Sequence, residues 1–458
     1  MCNIVRKVRI GNGQAFWGDR IDAPIKLVQN DDIDYLTLDY LAELTMSILK
    51  KQQLRNEQDG YAKDFVQLVK EILPTCLEKN IKIVTNAGGI NPESCRQEIM
   101  KISKQLGLKD FKIGIVTGDD ILDNVPSIYE EKNVPFDNLE TAQKFSDISD
   151  RIVSANAYFG AFEIAKALDD GAHFVITGRS TDPSLTLGPL IHEFKWSKQD
   201  YDLLAAGTVA GHLIECGAQV TGGNFQGGWD HVDDLLNIGY PIVEMDSTGE
   251  FIITKQKNSG GLVNRATVTE QLLYEIGDPT HYLSPDVIVD FSQIELIEEG
   301  ENKVRVIGCK GSQPTEFLKV SMSYEDGFIT QGLLSYGWPN ALKKAKKAEE
   351  ILRQRLGEFN LEFDEIHVEY IGYNGVHGPL TPNLELDPIE CVLRAAVKGK
   401  NKEHHIRFGM ELAPLIIGPA GLTGFVGGRP KPSQVIAYWP ALIPKNEVNI
   451  KVSVEVVS

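Results

Sequence analysis

The stretch FVITGRSTD, residues 174–182, joins a short apolar run to a loop of small and polar residues. The same pattern recurs in the first half of the chain at residues 8–13, 81–89, 113–120 and 218–224. Helical patterns follow most of these loops, so the segments predict βα units whose apolar strands suit a parallel sheet covered on both faces. Ligands bind outside the carboxyl ends of strands in such sheets, so the loops predict a binding cleft.

The length of the chain, 458 residues, predicts two domains, because one hydrophobic core seldom serves so many residues. We place the boundary near Tyr240–Pro241. Residues 1–240 predict a Rossmann-like α/β domain with a doubly wound, mostly parallel sheet, including a helix across residues 147–168.

Residues 241–458 contain strand-like runs that polar residues interrupt and that tight turns join. Asp-Gly and Gly-Glu-Asn turns predict antiparallel hairpins at residues 293–309 and 317–334. Helical patterns also occur, so we expect a C-terminal α+β domain with antiparallel strands.

The formal net charge of -18 argues against a nucleic acid or an anionic membrane surface as partner, since an acidic chain repels phosphate polyanions. Six scattered cysteines without a C-x-x-C pair make a disulfide framework or a zinc ribbon unexpected. Neither a secretory signal nor an apolar stretch near the ~20 residues that span a bilayer is recognisable. We therefore expect a cytoplasmic protein.

The first loop, GNG at residues 11–13, begins like a dinucleotide-binding fingerprint. Phe16 stands where the third glycine belongs, which weakens a nicotinamide or flavin site because that glycine permits close helix–strand packing. A tight turn with Trp17 in the core explains the loop equally well. The candidate substrate contacts in this segment are Asn12, Gly13 and Asp19.

The second loop, NAGG at residues 86–89, leads into a helix that begins near Pro92. Free N–H groups and the helix dipole at such a terminus favour an anion such as a carboxylate or phosphate. A plain βα turn is the alternative. The candidate contacts are Asn86, Gly88 and Gly89.

The third loop, TGDD at residues 117–120, places adjacent carboxylates at a strand end. They suit a ribose hydroxyl, a Mg²⁺ ion or a helix cap. No third carboxylate or histidine stands nearby in sequence, so we expect no dedicated metal site. We assign Asp119 a catalytic role, with Gly118 and Asp120 as substrate contacts.

The fourth loop, GRSTDP at residues 178–183, combines a glycine, an arginine able to grip a carboxylate, hydroxyls and an acid. Arg179 would neutralise an acid or thioester oxygen, and Asp182 would act as base or acid. A purely structural Arg–Asp pair is the alternative. Gly178 and Ser180 are candidate substrate contacts.

Two further features follow in the segment 211–224. His212 and Cys216 stand four residues apart on a predicted helix, where an imidazole–thiolate pair is conceivable and ordinary packing is favoured. The loop TGGN serves either as a ligand contact or as a plain turn. Its candidate contacts are Gly222, Gly223 and Asn224.

Several long motifs together resemble the acyclic terpene utilisation AtuA-like family over nearly the whole chain. They are VRIGNGQAFWGDRID at 8–22, LDYLAELTM at 38–46, TNAGGINP at 85–92, GRSTDPSLTLGP at 178–189, VTGGNFQGGW at 220–229 and AYWPALIP at 437–444. The resemblance implies a role in bacterial catabolism of citronellol- and geraniol-type terpenes, which proceeds through branched acyl-CoA intermediates. Many relatives carry a further C-terminal domain with a Ser-Gly-Asp-Lys-Gly-type motif, so the end at Val457–Ser458 implies a small separate partner chain.

We expect a catabolic enzyme that acts on a branched hydroxy acid or its CoA thioester by hydration, dehydration or carbon–carbon lysis. The sequence assigns no cofactor beyond coenzyme A as part of the substrate, and a homo-oligomer is expected. A nucleotide-dependent dehydrogenase or ligase is the first alternative, although a Walker lysine is missing. The second alternative is a non-catalytic binding or assembly subunit.

Overall fold

The computed structural model describes residues 6–382, 387–418 and 422–458, with the backbone alone for residues 422 and 423. The chain divides into two compact units, Met1–Ser323 with Tyr438–Ser458, and Tyr324–Ala437. The two compact units need not be domains that fold independently, so the predicted domain boundary near Tyr240–Pro241 stays a prediction. In the described part of the chain, no helix combines the length and the apolar character required to cross a bilayer.

The helices and strands alternate through the first half of the chain. The helices are α1 (Asp22–Asn30), α2 (Glu43–Arg55), α3 (Lys63–Lys79), α4 (Pro92–Gln105), α5 (Val125–Glu131), α6 (Phe162–Asp169), α7 (Ser184–Phe194), α8 (Tyr201–Glu215), α9 (Arg265–Leu273), α10 (Ala341–Glu358) and α11 (Lys402–Leu412). The strands are β1 (Lys7–Asn12), β2 (Tyr35–Leu38), β3 (Lys82–Thr85), β4 (Phe111–Thr117), β5 (Ile152–Ala157), β6 (Phe174–Thr177), β7 (Pro241–Asp246), β8 (Phe251–Lys255), β9 (Tyr282–Leu283), β10 (Ile288–Asp290), β11 (Glu295–Gly300), β12 (Lys303–Ile307), β13 (Lys310–Ser312), β14 (Phe317–Gly337), β15 (Glu365–Ile371), β16 (Glu390–Gly399), β17 (Leu422–Val426), β18 (Ser433–Pro444) and β19 (Lys451–Val457).

The main sheet of the first unit has the strand order β11-β12-β8-β7-β1-β2-β3-β6-β4-β19. Its centre is parallel, from β1 through β2, β3 and β6 to β4. Antiparallel strands flank this centre, β7 beside β1 and β19 beside β4. The α/β class is therefore confirmed as a mixed sheet, whereas the Rossmann-like, doubly wound detail stays a prediction.

Both faces of the parallel centre are buried, which explains its short, continuously apolar strands. Successive residues of β3 separate into two cores, with Ile83 in one and Val84 in the other. Ile83 shares its core with Leu68 of α3 and Ile99 of α4. Val84 shares the opposite core with residues of α6, α7 and α8. The carboxyl ends of the strands are thereby left free to carry loops.

Three sequence-based expectations for secondary structure are wrong. The helix expected across 147–168 forms only in its second half, as α6, and the residues before it form the strand β5, where the β-branched Ile152 and Val153 favour an extended backbone. In place of the strand expected at 218–220, residues Gly217–Gln219 form a 3-10 turn shortly after α8, with Gly217 at φ 54°. The interval after α8 is too short for a strand to re-enter the sheet.

The third wrong expectation is the hairpin at 317–334. Residues 317–337 form the single strand β14, and Asp326-Gly327 continues that strand. Pairing with β16 begins at Phe328 opposite Gly399, so the cross-strand ladder overrides the local turn preference. The other expected hairpin is confirmed as β11 paired antiparallel with β12.

The second unit contains an antiparallel sheet in the order β15-β16-β14-β17. The helices α10 and α11 contribute Leu352 and Phe408 to a core that also includes Leu393 of β16. Helices packed on an antiparallel sheet agree with the α+β expectation for this part of the chain.

Candidate functional site

A cavity of about 340 Å³ lies within the first unit. The loop after β6, the carboxyl-terminal turn of α8 and the segment 282–285 form much of its wall. Its ionisable lining residues are Glu43, Tyr158, Arg179, Asp182, His212, Glu215, Glu275, Tyr282 and Lys319. Charged groups of both signs therefore share one cavity.

The loop after β6 is held from behind by Asp119. Gly178 passes so close to this carboxylate that an added methyl group would lie 2.2 Å from Asp119 Oδ1. Asp119 Oδ2 accepts hydrogen bonds from the main-chain N–H of Arg179 at 2.8 Å and from Asn156 Nδ2 at 3.0 Å. Burial raises the pKa of Asp119 to about 7. Asp119 thus sets the backbone from which Arg179 extends.

The Arg179 side chain is buried, with 2% of its surface exposed. Its Nη1 donates to the carbonyl oxygen of Leu41 at 2.5 Å and to Asp182 Oδ1 at 2.9 Å. The guanidinium carbon lies 4.2 Å from the ring centroid of Tyr158, a cation–π arrangement. These contacts fix a permanent positive charge at the wall of the cavity.

Carboxylates surround this cation. The Asp182 side chain is 36% exposed, and burial raises its pKa while the charge of Arg179 opposes the rise. Glu43 Oε1 accepts hydrogen bonds from Tyr158 Oη and from Lys319 Nζ, each at 3.4 Å. Although burial works in the opposite direction, Arg179 and Lys319 hold the pKa of Glu43 below its usual range. The two acids thus differ in their tendency to hold a proton at neutral pH.

On α8, His212 pairs with Glu215 rather than with Cys216. Nδ1 of His212 lies 3.1 Å from Glu215 Oε1. Burial lowers the pKa of His212 to about 4 and raises the pKa of Glu215 well above its usual range. Nε2 of His212 and Oε2 of Glu215 are buried and make no hydrogen bond of normal geometry among the described residues, although main-chain groups of Gln271 and Leu272 act on the imidazole and oppose the fall of its pKa.

The remaining lining is largely apolar. Leu139, Leu283, Phe317 and Leu442 are 51%, 62%, 47% and 40% exposed, and all line the cavity. Exposed apolar side chains beside charged groups suit a ligand with one apolar end and one polar end.

The predicted loops differ in how they relate to this cavity. Among the expected catalytic residues, Arg179 and Asp182 line it, whereas Asp119 lies behind Arg179. Asn86 is buried, accepts the N–H of Tyr40 at 2.7 Å and donates to Asp39 Oδ1 at 2.7 Å. Burial raises the pKa of Asp39 well above its usual range, and the Arg179 charge opposes that rise. Asn86 thus acts on the site through Asp39.

The first loop carries structural contacts. Asn12 Nδ2 donates to the carbonyl oxygens of Ile214 and Glu215, the latter at 2.9 Å, at the end of α8. A methyl group added at Gly13 would lie 2.6 Å from Cβ of Pro24. Asp19 Oδ1 accepts the Tyr240 hydroxyl at 2.7 Å. The buried Asn12 and Gly13 are therefore engaged with the protein itself.

The second and third loops are closely packed as well. Methyl groups added at Gly88 and Gly118 would lie 2.6 Å from the Thr177 carbonyl oxygen and 2.2 Å from that of Asn449. Gly89 has a φ of 53° and abuts Leu49. Asp120 Oδ1 caps the N–H of Leu122 at 3.1 Å. Each of these residues lies outside the lining of the cavity.

The remaining predicted contacts also lie outside that lining. Ser180 is buried, and its hydroxyl has no partner within the described ranges. Gly222 has a φ of 102° and packs against Val232. Gly223 donates its N–H to the Ala218 carbonyl at 2.8 Å, and Asn224 is exposed with a φ of 61°.

Sequence patterns missed several lining residues, namely Glu43, Tyr158, Glu215, Glu275, Tyr282 and Lys319. Glu43 lies inside the motif at 38–46, and Glu215 lies three residues after His212, the spacing of helix neighbours. For the other four, only the folded chain brings them to the site.

A scan of family models matched residues 8–454 to the family described as acyclic terpene utilisation family protein AtuA. Searches of curated proteins and of solved structures returned no match.

Proposed function

This chain belongs to the acyclic terpene utilisation family, and we propose that its Arg179–Asp182 cavity binds a branched hydroxy acid or its CoA thioester. The proposed reaction is hydration, dehydration or carbon–carbon lysis beside the carbonyl group. The single observation that carries this proposal is a buried, fixed guanidinium facing carboxylates within one cavity with an apolar wall.

Size and polarity support the assignment of the substrate class. The volume of about 340 Å³ lies at the lower end of the range of roughly 300–1,000 Å³ typical of small-molecule sites. Such a space suits the acyl part of a thioester, with the nucleotide part of CoA outside. Leu283, Phe317 and Leu442 would contact the branched hydrocarbon.

The charges support acid–base chemistry. Removal of a proton next to a carbonyl requires a positioned base and a group that stabilises the developing negative oxygen. Arg179 supplies the fixed positive charge, and Asp182, three residues later, supplies a carboxylate in contact with it. Tyr158 and Leu41 hold the guanidinium in place, so little reorganisation is needed during reaction.

The test is turnover by the purified protein across a panel of branched and short hydroxy acids, unsaturated acids and their CoA thioesters. We expect Asp182→Asn to abolish turnover while the fold is retained, because its side chain is 36% exposed and tolerates an isosteric amide. We expect Leu283→Ser to raise KM for branched substrates selectively.

Leu236→Ser is the matched control, because Leu236 is 79% exposed and lies outside the cavity, whereas Leu283 is 62% exposed and inside it. Absence of both binding and turnover across the whole panel would reject the proposed function. So would full activity of Asp182→Asn.

A further inference from the structure

We propose that His212 and Glu215 form a neutral proton relay, in which His212 Nε2 accepts a proton from the substrate while Glu215 Oε2 donates one. This inference rests on the proposed function, because it assigns the proton-transfer groups of the same cavity. In this assignment Asp182 holds the guanidinium of Arg179 and the pair on α8 transfers the protons, whereas the sequence analysis made Asp182 the base or acid and gave Asp119 a catalytic role.

The geometry of the pair supports the relay. His212 and Glu215 are one helical turn apart on α8, and Nδ1 lies 3.1 Å from Oε1. Their side chains are 2% and 13% exposed, and both line the cavity. The outer atoms, Nε2 and Oε2, are buried and make no hydrogen bond of normal geometry among the described residues. A buried polar atom without a partner is costly, so a ligand that satisfies both atoms would be favoured.

A neutral pair always presents one donor and one acceptor to the cavity. If Nδ1–H donates to Oε1, then Nε2 is an acceptor and the protonated Oε2 is a donor. If the acid proton is on Oε1 and is donated to Nδ1, then Nε2–H is the donor and Oε2 the acceptor. Passage from the first state to the second takes up one proton at Nε2 and releases one from Oε2.

The surroundings keep the pair in place. Asn12 holds the carbonyl oxygens at the end of α8, and Gln271 Nε2 donates to the main-chain oxygen of His212 at 2.9 Å. The Phe291 ring meets the imidazole edge to face, with ring centroids 5.6 Å apart. Proton transfer therefore requires no movement of the helix.

The ionisable groups that act on the pair are acidic apart from Arg179. Asp182 and Glu275 act on both members, Tyr282 lies with its ring centroid 6.0 Å from that of His212, and the Arg179 charge acts on Glu215. Acidic neighbours favour the retention of protons, and burial disfavours net charge on either member. At pH 7 the neutral state is thereby favoured.

For dehydration of a 3-hydroxy thioester the atoms balance as follows. Nε2 accepts the proton from the α-carbon, and the C–H electron pair becomes the new carbon–carbon π bond. The Nδ1 proton passes to Oε1, and the Oε2 proton passes to the departing hydroxyl. The C–O bond breaks with its electron pair on oxygen, and water leaves. Hydration is the reverse, and exchange with solvent restores the starting tautomer.

The first measurement is an NMR titration of the imidazole nitrogens in the intact protein, which requires no substrate. We expect neutral His212 at pH 7, with protonation near pH 4, and a changed tautomer in Glu215→Gln. A cationic His212 at pH 7 would overturn the relay even in a preparation that turns over no substrate. That result would leave the proposed function standing.

The second measurement is kcat against pH for active protein. We expect kcat to fall roughly 100-fold or more in His212→Gln and Glu215→Gln, the scale of general acid–base catalysis. The dissociation constant should change much less, because the glutamine amide still offers a donor and an acceptor to the ligand. In the wild type, kcat should fall at alkaline pH as Glu215 loses its proton. This fall should be absent from Glu215→Gln. Wild-type kcat retained in both variants would overturn the relay.

Cys216→Ser is the control, because Cys216 lies outside the lining of the cavity, and its kcat should match that of the wild type. Circular dichroism and the unfolding midpoint verify that each variant is folded. If His212→Gln does not fold, Glu215→Gln decides the question alone, since its side chain is partly exposed and the change is isosteric.

Discussion

Asp119 Oδ2 accepts the main-chain N–H of Arg179 at 2.8 Å, so a carboxylate at the end of β4 fixes the loop at the end of β6. These two strands are neighbours in the parallel sheet, and their carboxyl ends meet at one edge. Asp119 therefore positions the cation of the cavity without lining the cavity itself.

This contact predicts a pH-dependent effect of Asp119→Asn. The pKa of Asp119 in the folded protein is about 7, above the value of 3.8 for an unfolded chain. Because its pKa is raised in the folded protein, protonated Asp119 contributes fully to stability below pH 3.8, and this contribution is lost as the pH rises toward 7.

Because asparagine does not titrate, the free energy of unfolding of Asp119→Asn should rise relative to that of the wild type as the pH increases from 4 to 7. At 1.36 kcal/mol per pKa unit, the gain is on the order of a few kcal/mol at most. Urea unfolding of both proteins at several pH values measures it. A difference independent of pH would show that Asp119 does not titrate in this window.

We expect Asn12→Ala to lower stability and to leave ligand binding unchanged. Asn12 donates to two carbonyl oxygens at the end of α8, and its loss leaves buried acceptors unpaired at a cost of roughly 1–3 kcal/mol. Chemical denaturation and ligand titration separate the two effects. A selective loss of affinity with unchanged stability would instead support the ligand contact predicted from sequence.

Arg179→Lys should lose both stability and ligand affinity. A lysine keeps the charge, but it lacks the planar guanidinium that stacks on Tyr158 while its Nη1 donates to both Leu41 and Asp182. We expect a loss of roughly 1.5–3 kcal/mol in the free energy of unfolding, the scale of hydrogen bonds to charged groups.

Tyr158→Phe is the matched control for this variant, because it retains the ring under the guanidinium and removes only the contact with Glu43 at 3.4 Å. Its unfolding free energy should change by less than about 1 kcal/mol. Equal losses in the two variants would contradict the role assigned to the guanidinium.

Gly88→Ala should destabilise the protein by roughly 1–3 kcal/mol through overpacking. The added methyl would lie 2.6 Å from the Thr177 carbonyl oxygen and 2.9 Å from Cβ of Pro92. Gly357 near the end of α10 is the control, since an added methyl meets nothing within 4 Å in the described structure. Gly357→Ala should stabilise by up to about 1 kcal/mol. A thermal unfolding series that shows no difference would contradict the packing argument.

The sequence by itself determined the α/β class and the family. It also determined the parallel strands β1, β3, β4 and β6 with their polar loops, because apolar runs and helix periodicity are local properties of the chain. The motif at 178–189 was sufficient to single out Arg179 and Asp182, which do line the cavity.

Only the tertiary structure decided what each polar residue faces. Asp119, Asn12 and Asn86 stand at strand ends like ligand contacts, yet their hydrogen bonds are made to the protein. The partners lie dozens to hundreds of residues away along the chain, as with Asn12 and Glu215, so no local pattern reveals them. For the same reason, the gathering of charges around Arg179 depends on long-range packing rather than on motif spacing.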